Sequence, residues 1–255
     1  MKLIRYYWNS YPLYLIMGLA IFVRLLAVFF AKGFGMHDDH FLVVEIQQSW
    51  VDGLNIDNWL PSGKPTDQAS GHSFFYPSFQ FAFFYLMKIL HIGDPQMKMY
   101  ILRFLHGAFS LITVFYGFKI AEKISNTESA KIVGLLLAAF WLMPWASVHN
   151  LVEIVCIPFM IYSLWIIINK YDHPKHLGWF FLSGLLLGIA FSIRFQTLVF
   201  TGGVGIALLV DKRWKEMFVV AFGYLISVVL TQCIPDMILW GYPFAELRGY
   251  YIYNM

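Results

Sequence analysis

Charge is scarce in this chain. Only 13% of its 255 residues are Asp, Glu, Lys or Arg, and the net charge is +3. A polyanion such as nucleic acid is therefore not a natural partner. Cysteine is nearly absent. Cys156 and Cys233 are the two present, both inside apolar segments, where they read as small core residues and not as a disulfide. No cleavable leader is evident. The first apolar run, about Tyr11 to Ala31, is long enough to span a bilayer and has no small-residue cleavage site behind it, so it reads as a retained transmembrane helix. Asn-x-Ser/Thr sequons are missing from the first long loop, which favours a bacterial cytoplasmic membrane over an endoplasmic reticulum membrane.

What fills the chain is apolar surface. Hydrophobic residues make up 59% of it, and the mean hydropathy is +0.63. A water-soluble domain of this size could not hide that much, so lipid is the solvent for most of it. The 25 Phe, 15 Tyr and 9 Trp suit a protein with many rings at the membrane interface.

Spanning helices need roughly 20 apolar residues. Candidates begin near Tyr11, Met99, Ser129, Leu151, Leu177, Gln196 and Glu216. The apolar stretch Pro77 to His91 is shorter, roughly 22 Å as a helix, and carries Ser78, Gln80, Lys88 and His91. It reads as an amphipathic helix at the surface. With that stretch uncrossed and the N-terminus inside, Lys2, Arg5, Lys119, Lys123, Lys131, Lys170, Lys175, Lys212, Arg213 and Lys215 all face the cytoplasm. A crossing there would send the last eight outward, against the positive-inside rule. The expectation is an all-α polytopic protein with about seven transmembrane helices, one module over 1–255, and a long outer loop over about 32–98.

This topology gathers the unusual polar residues on one face: Asp38, Asp39, His72, Arg103, His149, Asn150, Glu153, Arg194, Gln196 and Asp236. Asp38 and Asp39 open a helical-looking segment, Asp39–Asp52, which needs one carboxylate as a cap and leaves the second free. His37 and His40 flank the pair. Four consecutive residues seldom reach one metal ion, so hydrogen bonding at the interface is the expected fate of the histidines. Asn150 and Glu153 have capping-box spacing, and Glu153 is also an ionisable group at the start of an apolar run. Arg194 and Arg103 read either as snorkelling side chains or as phosphate ligands, since a guanidinium matches phosphate geometry. Arg24, inside the first crossing, is expected in a structural ion pair.

Taken in order, these motifs resemble the GT-C glycosyltransferases, and most closely the Alg9/Alg12/PIG-B type mannosyltransferases. Those enzymes carry His-Pro-Asp-Glu-x-Phe-Gln-x-x-Glu in the first outer loop. Here Met36-His37-Asp38-Asp39-His40-Phe41-Leu42-Val43-Val44-Glu45 keeps Asp38, Phe41 and Glu45 and replaces the glutamate by Asp39. An Arg-Ser-x-x-x-Pro element is similar to His72-Ser73-Phe74-Phe75-Tyr76-Pro77, without its arginine. Asn150-Leu151-Val152-Glu153, the Gly184–Gly188 helix with Arg194-Phe195-Gln196-Thr197, and Asp236 with Trp240-Gly241-Tyr242 continue the likeness. Relatives usually run on with more membrane helices, so the resemblance implies the seven-helix half alone.

The resemblance further implies an inverting transfer of a sugar, mannose foremost, from a polyprenyl-phosphate donor to a lipid-linked glycan or other glycoconjugate hydroxyl. Asp38 is then the general base and Asp39 its support. His72, Arg103, Asn150, Glu153, Arg194 and Gln196 are the substrate-binding candidates. No metal or other cofactor is expected. The partners are the lipid-linked donor, the acceptor and the bilayer. Two other classes remain open at this point: a lipid or sugar transporter, which would carry polar groups near the bilayer midplane, and a non-catalytic membrane subunit.

Overall fold

Helix is the only regular structure among the described residues of the computed structural model, which are 2–37, 39–63, 68–172 and 176–255. A short helix α1 (Lys2–Ser10) precedes α2 (Pro12–Phe30), with Pro12 at the first helical turn. One face of α2 is buried at every fourth residue: Ile16, Ala20, Arg24 and Val28. Ile16 and Ala20 pack against Val114 and Phe118, forming the centre of one core cluster.

The first loop is largely helical. Residues Asp39–Glu45 form a π-helical turn that runs into α3 (Ile46–Val51), so the helix expected over Asp39–Asp52 is present but wide at its start. Such wide turns are frequent at functional sites. The expected surface helix is α4 (Phe75–Ile89). Its buried face holds Tyr76, Gln80, Phe84 and Met87, while Phe79, Tyr85, Leu86 and Ile89 are exposed. Tyr76 and Gln80 thus turn inward beside Phe84 and Met87, and the exposed side is mainly apolar, an arrangement suited to contact with lipid.

Helix α5 (Pro95–Ile124) begins earlier than its apolar run. Asp94 caps it, accepting from the backbone nitrogens of Gln96 and Met97, and Pro95 occupies the first turn. At 30 residues it is about 45 Å long. The crossing expected from Ser129 is broken. Helix α6 (Thr127–Ala139) meets α7 (Leu142–Val148) at 52°. Arg24 explains why the break is tolerated. Its guanidinium donates to the carbonyls of Leu137 and Ala138, which the ended helix leaves orphaned, and to Ser110 Oγ at 2.7 Å. The ion pair expected for Arg24 is replaced by a helix C-terminus.

The remaining bundle is α8 (Val152–Lys170), α9 (Leu177–Ile193), α10 (Leu198–Val210), α11 (Trp214–Val228), α12 (Ile234–Trp240) and α13 (Ala245–Asn254). All seven expected apolar segments are helical. Among the described residues, four helices are long and apolar enough to cross a membrane, or five with the broken pair counted once; α9 and the Phe195–Val210 helix are shorter. Helix α9 sits between α8 and α11. Ser163 and Ser183 hydrogen-bond across the α8–α9 contact at 2.7 Å. On the other side, a Cβ on Gly184 would collide with the carbonyl oxygen of Val220, one on Gly188 with that of Tyr224, and one on Gly223 with that of Phe181. Glycines let the two backbones touch. Both cysteines are free thiols.

Connectivity puts the ends of α2, α9 and α12 and the starts of α5 and α8 at one end of the bundle. The opposite end carries the Lys119–Glu122, Lys131–Glu128 and Arg213–Glu216 pairs.

Candidate active site

At the first of these ends lies an open cavity of about 460 Å³. Its wall is the α9–α10 junction, Ile193 to Gln196. Helix α9 stops because Arg194 leaves helical backbone for an extended one, with φ −145° and ψ 112°. That turn puts the Arg194 side chain beside the cavity and buries Phe195. Opposite are Leu42 and Val43 of the π-helical turn and Tyr76 and Pro77 of α4. Loop residues Ser70 to Ser73 and the α13 side chains Tyr250, Tyr253 and Asn254 complete the rim.

The loop is held by one buried acid. Glu246 has no solvent exposure. One of its carboxylate oxygens accepts from Ser70 Oγ at 3.0 Å, Gly71 N at 2.7 Å and His72 N at 3.1 Å. The other accepts from Trp240 Nε1 at 2.8 Å. Burial pushes this carboxyl up to about 7 from 4.5, against the pull of its hydrogen bonds. Asp236, also buried, accepts from the Glu246 backbone nitrogen and from Gln232, and so fixes the start of α13. Gly71 has φ +82°, and a Cβ there would come within 2.9 Å of the Tyr250 nitrogen. Gly249 is as tightly placed against Ala69 O, at 2.8 Å. Loop and helix therefore meet backbone to backbone. His72 lies flat on buried Trp59, ring centres 4.9 Å apart and 3° from parallel.

Arg194 pairs with Glu153, Nη2 to Oε1 at 2.7 Å, both side chains part-exposed. Gln196 Nε2 donates to Tyr250 OH at 2.6 Å, tying the α9–α10 junction to α13. Beneath the cavity floor, Tyr76 OH donates to Asn150 Oδ1 at 2.5 Å, meets His106 Nε2 at 2.8 Å and accepts from Gln80 Nε2 at 2.8 Å. Gln80 also donates to Asn150 Oδ1. Asn150 is thus committed to the floor and does not cap α8, whose N-cap is Leu151 without a side-chain bond; the capping box is not formed.

Arg103 lies apart from the cavity. It is buried, donates to Gly33 O at 3.2 Å, and leaves Nε and Nη1 without hydrogen-bond partners among the described residues. It lines a much smaller hollow with His40, His149 and Asn150. His149 Nδ1 faces the Trp145 carbonyl at 2.7 Å and so carries the proton there. Burial, and then the Arg103 charge, keep His149 below its usual range despite that bond. Burial first, opposed by Glu45 and aided by Arg103 and His37, does the same for His40. His37 and His40 pack on the rings of Phe34 and Phe41.

Of the residues singled out in the sequence, His72, Arg194 and Gln196 line the cavity and Glu153 reaches it through Arg194. Asn150 supports it from below, and Arg103 borders the neighbouring hollow. Asp38 lies outside the described residues; of Asp39 only the backbone, at the start of the π-helical turn, is described. Sequence reasoning passed over Glu246, Tyr250 and Trp59. The available signal for Glu246 was an acid close behind a Trp-Gly-Tyr-Pro turn. Its partners at 70–72 are some 175 positions away.

Residues 77–240 match the model of the dolichyl-phosphate-mannose-protein mannosyltransferase family. The chain belongs to this family. This mannosyltransferase-family protein is therefore an integral membrane glycosyltransferase of the GT-C kind, reached through a different member family from the one its first-loop motif resembles. The match contains Arg103, Asn150, Glu153, Arg194 and Gln196. It begins after the acidic run and His72 and stops before α13, so the cavity joins matched helices to segments on either side of the match. Comparisons with curated proteins and with solved structures give no match.

Proposed function

We propose that the protein moves a sugar, mannose foremost, from a polyprenyl-phosphate donor to a hydroxyl of a lipid-linked glycan or other glycoconjugate, with inversion, on the outer face of the membrane. One observation carries the reading: Arg194 is the only described cavity-lining side chain with a formal charge at neutral pH, and aromatic and polar groups surround it. A single guanidinium in a partly apolar cleft suits one phosphate with a lipid tail and a sugar. The exposed apolar side of α4 provides a surface along which a polyprenyl chain reaches that cleft.

In this mechanism the acceptor hydroxyl attacks C1 of the donor sugar. The new C1–O bond forms as the bond from C1 to the phosphate oxygen breaks. The acceptor proton passes to Asp38, with Asp39 supporting it, and the phosphate departs with the bonding electron pair. Arg194 meets the charge that develops on the phosphate. In this reading His72, stacked on Trp59, and Gln196, hydrogen-bonded to Tyr250, contact the sugar or the phosphate. Arg103 and Asn150 act from behind, on the hollow and the floor. No step needs a metal.

The test is transfer from a defined polyprenyl-phosphate mannose by purified protein in nanodiscs. Asp38→Asn abolishes transfer while membrane insertion stays intact. Wild-type turnover in that variant would remove Asp38 from the base role, and absence of transfer with every polyprenyl-phosphate sugar would remove the reading.

A further inference from the structure

The Glu153–Arg194 pair poses a question that phosphate recognition alone does not answer. A cation meant for a phosphate is already neutralised, by a carboxylate 2.7 Å away. Glu153 is not itself part of the cavity lining, and its side chain keeps half of its exposure. A pair this open adds little stability, because water screens it and both side chains lose freedom in holding it. The cation can thus be reassigned to an incoming anion, while the carboxylate stays nearby in water.

The donor and the product differ in charge. A polyprenyl-phosphate sugar is a phosphodiester with one negative charge. Transfer breaks the C1–O bond, leaves the electron pair on the phosphate, and produces a monoester carrying about −1.5 to −2 at neutral pH. A carboxylate held beside the phosphate ligand disfavours the second species more than the first.

On the polyprenyl-phosphate reading above, we propose that Glu153 is a charge discriminator: it lends Arg194 to the singly charged donor and drives off the more highly charged phosphate product. A unit charge about 5 Å from another in a largely aqueous setting changes affinity about fourfold. Glu153 therefore weakens a diester about fourfold and a monoester about eight- to sixteenfold. The discrimination against product is about two- to fourfold, enough to limit product inhibition without reducing donor capture in proportion.

The experiment uses the full chain in nanodiscs and two probes, farnesyl phosphate as the monoester and its methyl diester. Dissociation constants are measured for the wild type, Glu153→Gln, Glu153→Ala and Arg194→Ala. The expected result is that both Glu153 variants tighten both probes and tighten the monoester about two- to fourfold more. Between pH 5 and pH 7.5, across the second phosphate ionisation near pH 6, that extra tightening grows with pH. Equal tightening of the two probes, or weaker monoester binding in either variant, overturns the inference and leaves the phosphate reading standing. If Arg194→Ala leaves both affinities unchanged, phosphate is not held at Arg194, and the reading and the inference fall together.

Discussion

The Glu246 carboxylate accepts a hydrogen bond from the backbone nitrogen of Gly71 at 2.7 Å, joining the last helix to the loop that rims the cavity. The same oxygen serves Ser70 and His72. A helix outside the family match therefore sets the position of a loop that is also outside it. Truncating this one acid tests that dependence. Glu246→Ala leaves the Gly71 and Trp240 N–H groups without their acceptor, leaves His72 N only its 3.3 Å bond to Ser70 Oγ, and lowers stability by about 2–5 kcal/mol. Hydrogen exchange should rise at residues 69–73 and 245–250 more than elsewhere, and sugar transfer should fall at least tenfold. Unchanged exchange in the loop would show that Glu246 does not hold it.

The same group gives the protein a pH dependence. Its carboxyl titrates at about 7 in the fold against 4.5 ordinarily, so between these values the folded chain binds more protons than the unfolded one. Stability then falls as pH rises from about 4.5 to about 7, by up to about 3 kcal/mol, and this contribution is flat above. Thermal unfolding across pH 4–8 measures the slope. Glu246→Gln, which cannot titrate, should remove most of it.

The α9–α11 contact depends on missing side chains. Gly184→Val and Gly223→Val force apart backbones that touch, and each should cost about 1–3 kcal/mol with a lower unfolding temperature. Gly205 in α10 has open space around its would-be Cβ. Gly205→Ala should be neutral, or stabilising by up to about 1 kcal/mol. Unfolding temperatures for Gly184→Val and Gly223→Val no lower than that of Gly205→Ala would show that the α9–α11 contact does not need these glycines.

Tyr76 links the cavity wall to the floor. Tyr76→Phe removes the hydroxyl shared by Asn150, His106 and Gln80 and should cost about 1–3 kcal/mol. Combined with Asn150→Leu, the losses should be less than additive, because both substitutions break the same buried network. Strict additivity in unfolding measurements would show that the two residues act separately.

Much of the fold was legible because a bilayer imposes simple rules. Apolar length marked the helices, and lysine and arginine counts marked the ends of the bundle. The break at Phe140–Trp141 was not legible. It depends on Arg24 reaching carbonyls more than 110 positions away. The same limit applied to the site. Arg194 and Gln196 stood out as polar residues at an apolar turn. Glu246 did not, because the Trp-Gly-Tyr-Pro turn before it does not reveal that its partners lie some 175 positions away.

The sequence by itself determined an all-helical membrane protein with its unusual polar residues at one end. Hydrophobic length, charge bias and residue spacing are local quantities, and a single chain displays them. Tertiary structure alone decided which of those residues share a cavity. It set His72, Arg194 and Gln196 around one space, put Glu153 on Arg194 and Asn150 beneath Tyr76, and sent Arg103 to a separate hollow. Those assignments rest on which helix backbones approach most closely and on where each helix stops. Glycine contacts between α9 and α11, and buried acids pairing with distant amides, fix both through contacts between residues remote in sequence.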